Sequence, residues 1–232
     1  MKIGAIIICR YNSSRLPGKI LKEINGKTIL SYIIERLKCV ENLDDIIVAT
    51  SDQKSDEPIV DYCIAEGIKF HRGSLLNVAK RFLDCSKAFN FDYSIRINGD
   101  NLFLDHSIIS KMINKINEND FDMISNVKDR TFPKGISVEI INVEFYKKMF
   151  SKLNTPYFQE HVTIYFYENL KSGNFCHYIN TIYPAAGGAQ LAIDTEEDFN
   201  IATKIIDSFN DHHSEYGFEE IYKRMIRFQR LQ

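Results

Sequence analysis

Short apolar runs alternate with longer stretches of helical periodicity in the first part of the chain. Runs of this kind are typical of strands buried on both faces, and they predict strands at residues 3–8, 46–50, 68–71 and 93–97. Between the first two runs, Ile29, Ile33 and Leu37 share one face of a helix predicted at 28–39. Further helices are predicted at 58–67 and 75–90. This alternation predicts an α/β fold with a mainly parallel sheet and helices on both faces.

The pattern changes after about Phe121, where strand and helix signals become mixed. Strands are predicted at 121–126, 135–142, 177–183 and 190–193, and helices at 156–170 and 218–229. Another helix is expected from Thr195, because Asp198 three residues later completes a capping-box pattern. With 232 residues, 44% of them hydrophobic, the chain suits a single domain, 1–232, with an arm or lid at about 130–185.

Composition narrows the class of protein further. The 29 basic and 31 acidic residues give a net charge of −2, which disfavours a protein that tracks a nucleic-acid backbone. The five cysteines are scattered and form no CxxC pair, so neither a disulfide framework nor a zinc site is indicated, and a cytoplasmic location is expected. No segment approaches the roughly 20 apolar residues that span a bilayer, so membrane insertion is not expected.

A basic loop follows the first predicted strand, with the sequence CRYNSSRLPGK at residues 9–19. In open α/β sheets, ligands bind at the carboxyl ends of the strands. Backbone amides and serine hydroxyls of such a loop can surround phosphate oxygens, while Arg10, Arg15 and Lys19 neutralise their charge. The residues therefore favour a triphosphate site, although composition alone leaves a solvated basic turn as an equal alternative.

Two aspartates occupy comparable positions later in the chain. Asp100 follows the strand predicted at 93–97, and Asp194 follows the one at 190–193. Mg²⁺ in proteins often takes one or two carboxylates and fills its other positions with water and substrate phosphates. Asp100 and Asp194 therefore form a candidate metal pair, with a turn aspartate and a helix cap as the alternative roles.

These segments, taken in order, resemble the cytidylyltransferase superfamily that makes CMP-activated sugar acids, most of all its spore-coat polysaccharide biosynthesis branch. The likeness spans nearly the whole chain, through segments at 9–19, 70–81, 96–105, 133–139, 160–165 and 194–198. It implies a Rossmann-like nucleotidyltransferase fold with an inserted dimerisation arm, hence a homodimer. It also implies transfer of CMP from CTP to a sugar or sugar acid, with Mg²⁺ as cofactor and release of pyrophosphate, for surface polysaccharide or glycan biosynthesis.

The resemblance also implies roles for individual residues. Lys19, Arg15 and Asp100 are expected to be catalytic, and Asp100 and Asp194 to hold the metal. The residues expected to bind the nucleotide are Cys9, Arg10, Asn12, Ser13, Ser14, Arg15, Lys19, Arg72 and Asn77. Those expected to bind the acceptor are Glu139, Glu160 and His161.

Other functions stay open on the sequence alone. A nucleotidyltransferase that uses another nucleoside triphosphate would need the same phosphate-binding loop. A glycosyltransferase that uses a preformed sugar nucleotide usually carries a DxD metal motif after a strand. The Asp120-Phe121-Asp122 segment precedes its predicted strand, which weighs against that alternative. A non-catalytic nucleotide-binding subunit is a third possibility.

Overall fold

The computed structural model describes residues 1–13 and 15–229. Its strands are β1 (Ile3–Ile8), β2 (Glu23–Ile24), β3 (Lys27–Thr28), β4 (Asp45–Ser51), β5 (Phe70–Gly73), β6 (Tyr93–Asn98), β7 (Met123–Ser125), β8 (Glu139–Asn142) and β9 (Phe175–His177). Its α-helices are α1 (Ile29–Lys38), α2 (Glu57–Ala65), α3 (Val78–Ala88), α4 (His106–Glu118), α5 (Val143–Met149), α6 (Pro156–His161), α7 (Ile164–Glu168), α8 (Glu196–Asp207) and α9 (Phe218–Gln229).

The main sheet has the strand order β5-β4-β1-β6-β8-β7-β9. Strand β1 lies between β4 and β6 and is parallel to both, and β5 continues this parallel half. Strand β8 is antiparallel to β6 and β7, while β9 is parallel to β7. The prediction of a mainly parallel sheet is therefore confirmed, and the carboxyl ends of β1, β4 and β6 meet at one edge.

Each face of the sheet is covered by helices. Ile3, Ala5 and Ile7 of β1 pack into a core that includes buried residues of α1, α4, α8 and α9. Ile6, which points to the opposite face, belongs to a second core built with α3, α5 and α7. Because side chains alternate along a strand, one apolar run supplies both cores. Residues 130–185 contribute β8 and β9 to the sheet and helices to the second core.

Several local predictions are confirmed by the caps of the helices. The predicted Thr195–Asp198 capping box is formed at the start of α8. Helix α4 begins in a similar way, with the Asp105 side chain accepting from the amides of Ser107 and Ile108. Helix α9 has the predicted bounds. Within the described ranges, no helix combines the length and the apolar character needed to cross a membrane.

The predicted strand at 190–193 and the predicted continuous helix at 156–170 are wrong. Gln190 makes a single bridge to Lys134, and the segment then runs along a loop instead of joining a sheet. The helix is broken at Val162, whose φ of 56° is unfavourable for a β-branched residue. The Tyr146 hydroxyl donates to the Val162 carbonyl at 2.9 Å and holds this turn. The strand predicted at 177–183 lies earlier, at β9.

Candidate active site

The loop after β1 folds back on itself around the carbonyl of Tyr11. That oxygen accepts from the amides of Ser13 and Gly18, both at 2.9 Å. Gly18 has a φ of 68°, a left-handed conformation that glycine adopts without steric cost. The turn leads into a short 3-10 helix, Lys19–Leu21. This helix fixes the backbone of Lys19 and so the position from which its side chain extends. Ser14, one of the predicted nucleotide-binding residues, lies outside the described residues.

A buried aspartate anchors this loop to the neighbouring strand. Asp56 Oδ1 accepts from the Tyr11 amide at 2.8 Å, and its Oδ2 accepts from the Thr50 hydroxyl at 2.9 Å and the Ser51 amide at 3.0 Å. Burial raises the pKa of Asp56, but hydrogen bonds from Ser51, Tyr11 and Thr50 outweigh it, so the pKa is lowered overall. Asp56 was not predicted, because an acidic residue just before a helix resembles an ordinary cap.

Lys19, Asp100 and Asp194 converge at the carboxyl edge of the sheet. The Lys19 ammonium lies 3.3 Å from Asp100 Oδ2 and 3.4 Å from Asp194 Oδ1, and it donates to the Ile193 carbonyl at 2.8 Å. Arg15 Nη2 approaches Asp194 Oδ1 at 2.8 Å from the solvent side. One ammonium therefore contacts both carboxylates.

Backbone contacts, rather than strand pairing, bring Asp194 to Asp100. The Ile193 amide donates to the Asp100 carbonyl at 3.1 Å, and the Leu191 amide donates to the Lys134 carbonyl at 2.9 Å. Gly135 makes this approach possible, because a Cβ there would lie 2.4 Å from the Ala192 amide nitrogen. Its φ of 91° also favours glycine.

A cavity of about 360 Å³ opens beside the loop. Its wall includes Cys9, Arg10, Ser13, Arg15, Lys19, Asp100, Glu160, His161 and Asp194, all of them predicted site residues. It also includes Arg81, for which no site role was predicted. Arg81 is 2% exposed and donates through Nη1 to the Ser74 carbonyl at 2.7 Å. Burial lowers its pKa, yet a guanidinium stays charged near neutral pH, so it places a fixed positive charge at the wall.

Three other predicted nucleotide-binding residues are not part of this wall in the described chain: Asn12, Arg72 and Asn77. Arg72 pairs with Glu57 at 2.9 Å and donates to the Ser51 and Gln53 carbonyls. Asn77 caps α3, with its Oδ1 accepting from the Lys80 amide at 2.8 Å. At the wall, Cys9 is a neutral thiol near neutral pH, since burial raises its pKa strongly.

A larger cavity of about 620 Å³ adjoins the first. The residues common to both walls are Arg96, Asn98, Asp100 and His161. The basic loop after β1 and this second space therefore meet at Asp100.

Glu139 lies on the floor of the larger cavity, where three side chains bind it. It is 2% exposed, accepts from the hydroxyls of Thr163 and Tyr167 at 2.7 Å each, and pairs with Arg96. Burial alone would lower the pKa of Arg96, but the Glu139 charge raises it overall. Arg96 begins the family-like segment at 96–105 but was not predicted as a site residue, since its pairing with β8 is not visible in the sequence.

The rim of the larger cavity is basic. Arg96 is paired with Glu139, and Asp100 is paired with Lys19. The charged side chains of the lining that remain are Lys128, Arg130 and Lys134 against Asp129. Among the predicted acceptor residues, His161 lines both cavities, Glu139 the larger one and Glu160 the smaller one.

The donor set at the shared edge fits a hard divalent cation. Asp100 and Asp194 are about one quarter exposed, at 24% and 25%, and carboxylate oxygens are preferred ligands of Mg²⁺. Partial exposure leaves room for water or phosphate oxygens to complete a coordination sphere.

The sheet and its loop after β1 have the Rossmann-like fold of nucleotidyltransferases. A family model described as cytidylyltransferase matches residues 4–229, and the chain belongs to this family.

The chain is also similar to individual proteins in sequence and in structure. The spore coat polysaccharide biosynthesis protein SpsF of Bacillus subtilis is 31% identical over 168 residues, 69% of this chain and 68% of its own length. A 3-deoxy-manno-octulosonate cytidylyltransferase of Fusobacterium nucleatum is 27% identical over 177 residues, 73% of this chain and 71% of its own length. The structure of a cytidylyltransferase from Leptospira borgpetersenii superposes with a TM-score of 0.92 at 29% identity, covering 100% of this chain and 96% of that one.

Proposed function

We propose that this protein transfers CMP from CTP to a sugar or sugar acid, releasing pyrophosphate, with Mg²⁺ as cofactor. The observation that carries the proposal is the convergence of Lys19, Asp100 and Asp194 where the two cavities adjoin. One cavity has the charge of a polyphosphate site, and the other has room for a second substrate. A bond made between two substrates requires both of them to reach the same point.

The cationic side of the smaller cavity supports binding of a triphosphate. Arg10, Arg15, Lys19 and Arg81 lie in its wall, and their charge complements phosphate oxygens. In the proposed reaction an acceptor hydroxyl attacks the α-phosphorus of CTP, and the bond to the β-phosphate breaks. Arg15 and Lys19 stabilise the charge that develops on the departing pyrophosphate. Removal of one such contact typically costs about 2–4 kcal/mol of barrier, or roughly 10²–10³ in rate.

Asp100 and Asp194 are the residues that would hold Mg²⁺. When bound, the ion would supply positive charge to the phosphate oxygens. In the absence of substrate, Lys19 balances the two carboxylates. Lys19 therefore keeps the acidic pair together and, in the proposed complex, can donate to phosphate oxygens from the same position.

An anionic acceptor fits the basic rim of the larger cavity. Apart from the paired residues, its lining has three positive charges, on Lys128, Arg130 and Lys134, and one negative charge, on Asp129. A sugar acid would place its carboxylate near these cations. The relatives named above point the same way, since one of them is a 3-deoxy-manno-octulosonate cytidylyltransferase. The likeness to the spore coat polysaccharide biosynthesis protein SpsF supports a role in surface polysaccharide or glycan biosynthesis.

Pyrophosphate release tests the proposal directly. Wild type would be assayed with CTP, UTP, GTP or ATP against a panel of sugars and sugar acids, in the presence of Mg²⁺. We expect CTP-dependent release, a rate loss of at least roughly 10²-fold in Asp100→Asn, and an unchanged unfolding midpoint. Asp61→Asn, at an exposed position on α2, is the matched control and should keep full activity. Preference for another triphosphate, or near-normal release by Asp100→Asn, would contradict the proposal.

We also propose that the protein forms a homodimer through its 130–185 segment. Large apolar side chains are exposed there: Tyr157 at 50%, Leu170 at 44%, Ile179 at 40% and Ile182 at 75%. Exposed apolar groups concentrated in one segment support an interaction surface. Light scattering in solution tests this, because a monomer mass at micromolar concentration would exclude a stable dimer.

A further inference from the structure

A group of metal-ligating side chains lies apart from both cavities. Glu35 projects from α1, and His212 and His213 occupy the turn before α9. One ligand atom from each lies within 4.8 Å of the other two. Nε2 of His213 is 2.7 Å and Nε2 of His212 is 3.4 Å from the same Glu35 oxygen, Oε2. Over residues 1–13 and 15–229, the cluster shares no residue with the walls of the two cavities.

We propose that Glu35, His212 and His213 form a Zn²⁺ site, separate from the catalytic centre and independent of the proposed transferase activity. Zn²⁺ binds histidine nitrogen at about 2.0–2.1 Å and carboxylate oxygen at a similar distance, so two ligands of a tetrahedral ion lie about 3.4 Å apart. The separation of His212 from Glu35 already has this value, and His213 would have to withdraw by less than about 1 Å. Two imidazoles and a carboxylate are a ligand set that zinc uses, with water in the fourth position.

The turn that carries the histidines is anchored to the helix that carries the carboxylate. Arg36, next to Glu35 on α1, is 1% exposed and donates to the carbonyls of His213, Tyr216 and Leu104. The His213 ring packs edge-on against Tyr32, with ring centroids 4.7 Å apart. The three ligands therefore do not have to be gathered from flexible segments, and little ordering accompanies binding.

An outer contact orients His212 as metal sites require. Nδ1 of His212 is 2.8 Å from the Ser214 hydroxyl, which turns Nε2 toward the cluster. A second hydrogen bond of this kind fixes the ring of a metal-bound histidine.

The positive charge of Lys27 should weaken zinc binding, and this expectation provides a specific test of the proposal. Its ammonium contacts Glu35 Oε2 at 2.6 Å, so it competes for the oxygen that both histidines face. Glu35 has a second carboxylate oxygen to which Lys27 can move. Removing the lysine charge should therefore strengthen metal binding, an effect that non-specific adsorption to exposed histidines does not predict.

The experiment is a titration of the tag-free, metal-stripped full chain with ZnCl₂ near neutral pH, followed by calorimetry and equilibrium dialysis. We expect one Zn²⁺ per chain and a rise in the unfolding midpoint with zinc concentration. His212→Ala, whose ring is 55% exposed and whose loss should not disturb folding, and Glu35→Gln should each weaken binding at least about 10²-fold. Ser214→Ala should weaken it by about 10-fold, the usual cost of removing such an outer contact.

Three further variants and a spectroscopic probe separate this site from others. Lys27→Met should bind zinc more tightly than wild type, while His71→Gln and Asp100→Asn should bind it equally well. Co²⁺ substituted for Zn²⁺ should give the intense visible absorption of a low-coordinate ion in wild type but not in His212→Ala. Unchanged zinc affinity in His212→Ala, loss of the zinc in Asp100→Asn, or no saturable binding to wild type would each overturn the proposal.

Discussion

Substitution of Gly135 by alanine would test how Asp100 and Asp194 are brought together, because it adds a single methyl group against the 190–193 segment. Its φ is 91°, and a Cβ built there lies 2.4 Å from the Ala192 nitrogen and 2.7 Å from the Leu191 carbonyl oxygen. Ordinary non-bonded contacts are about 3.5 Å or longer, so Gly135→Ala must push the 190–193 segment away by about 1 Å. That segment leads directly into Asp194, and its Ile193 amide donates to the Asp100 carbonyl.

The cost of this substitution has two parts. A non-glycine residue in a left-handed conformation costs about 1–2 kcal/mol, and forced overpacking typically adds about 1–3 kcal/mol. Gly26→Ala supplies a matched control, because Gly26 has a φ of 73° but no atom of the described residues within 4 Å of the place a Cβ would take. The difference between the two variants in the free energy of unfolding should therefore be about 1–3 kcal/mol, the part that comes from overlap.

Activity should separate the two variants more strongly than stability does. A displacement of about 1 Å at a reacting centre can cost roughly 10²-fold in rate, so Gly135→Ala should lose pyrophosphate release by about that factor. Gly26→Ala should stay near wild type. Urea unfolding and the pyrophosphate assay measure the two effects. If both variants were equally stable and equally active, the close packing of 190–193 on Gly135 would not be what positions Asp194.

Two further predictions concern charges around the same centre. Asp56→Asn should lower the free energy of unfolding by about 1–3 kcal/mol, since an amide cannot accept from all the donors that face Asp56. Its folded-state pKa lies below the unfolded value, so the wild-type carboxylate contributes its full stability above about pH 3.9 and loses it as pH falls through the folded pKa. Urea midpoints of both proteins over that range should converge, and a constant gap would contradict the assignment. Lys19→Met leaves Asp100 and Asp194 without their shared ammonium, so Mg²⁺ should raise its thermal midpoint more than that of wild type, whereas equal shifts would argue against a shared ion.

The parts of the fold that could be predicted are those with local signals. The run of isoleucines predicts β1 with its observed bounds, and the capping pattern at Thr195 predicts the start of α8. The strand prediction at 190–193 failed because Leu191 and Ile193 are buried like strand residues, at 4% and 1% exposure. They are buried against the Gly135 and Asp100 loops, and that contact depends on chain segments far away in sequence.

The break at Val162 has a similar origin. No glycine or proline marks it, and the apolar periodicity of 156–170 continues across it. What stabilises the turn is tertiary: the Tyr146 hydroxyl bonds to the Val162 carbonyl, and the next residue, Thr163, donates to Glu139. A local pattern contains neither partner, so it predicts an uninterrupted helix.

The candidate site shows the same division between residues that face a ligand and residues that hold them in place. Sequence motifs predict Lys19, Asp100 and Asp194 as site residues, and their side chains meet in the structure. The motifs do not reveal Asp56, which is 1% exposed and acts on the loop through the Tyr11 amide. The role of a buried ionised group such as Asp56 becomes visible only from its hydrogen-bond donors. These donors lie on the loop after β1 and on β4, which are distant from each other in sequence.

Glu139 illustrates the opposite case. Its motif predicts an acceptor ligand, and it does line the larger cavity. Yet Thr163, Tyr167 and Arg96 all bind its carboxylate at the floor, and a buried acceptor that gives up such donors leaves them unsatisfied at a cost of about 1–3 kcal/mol each. We therefore expect Glu139 to act on an acceptor mainly through the position and charge of Arg96, which lines both cavities.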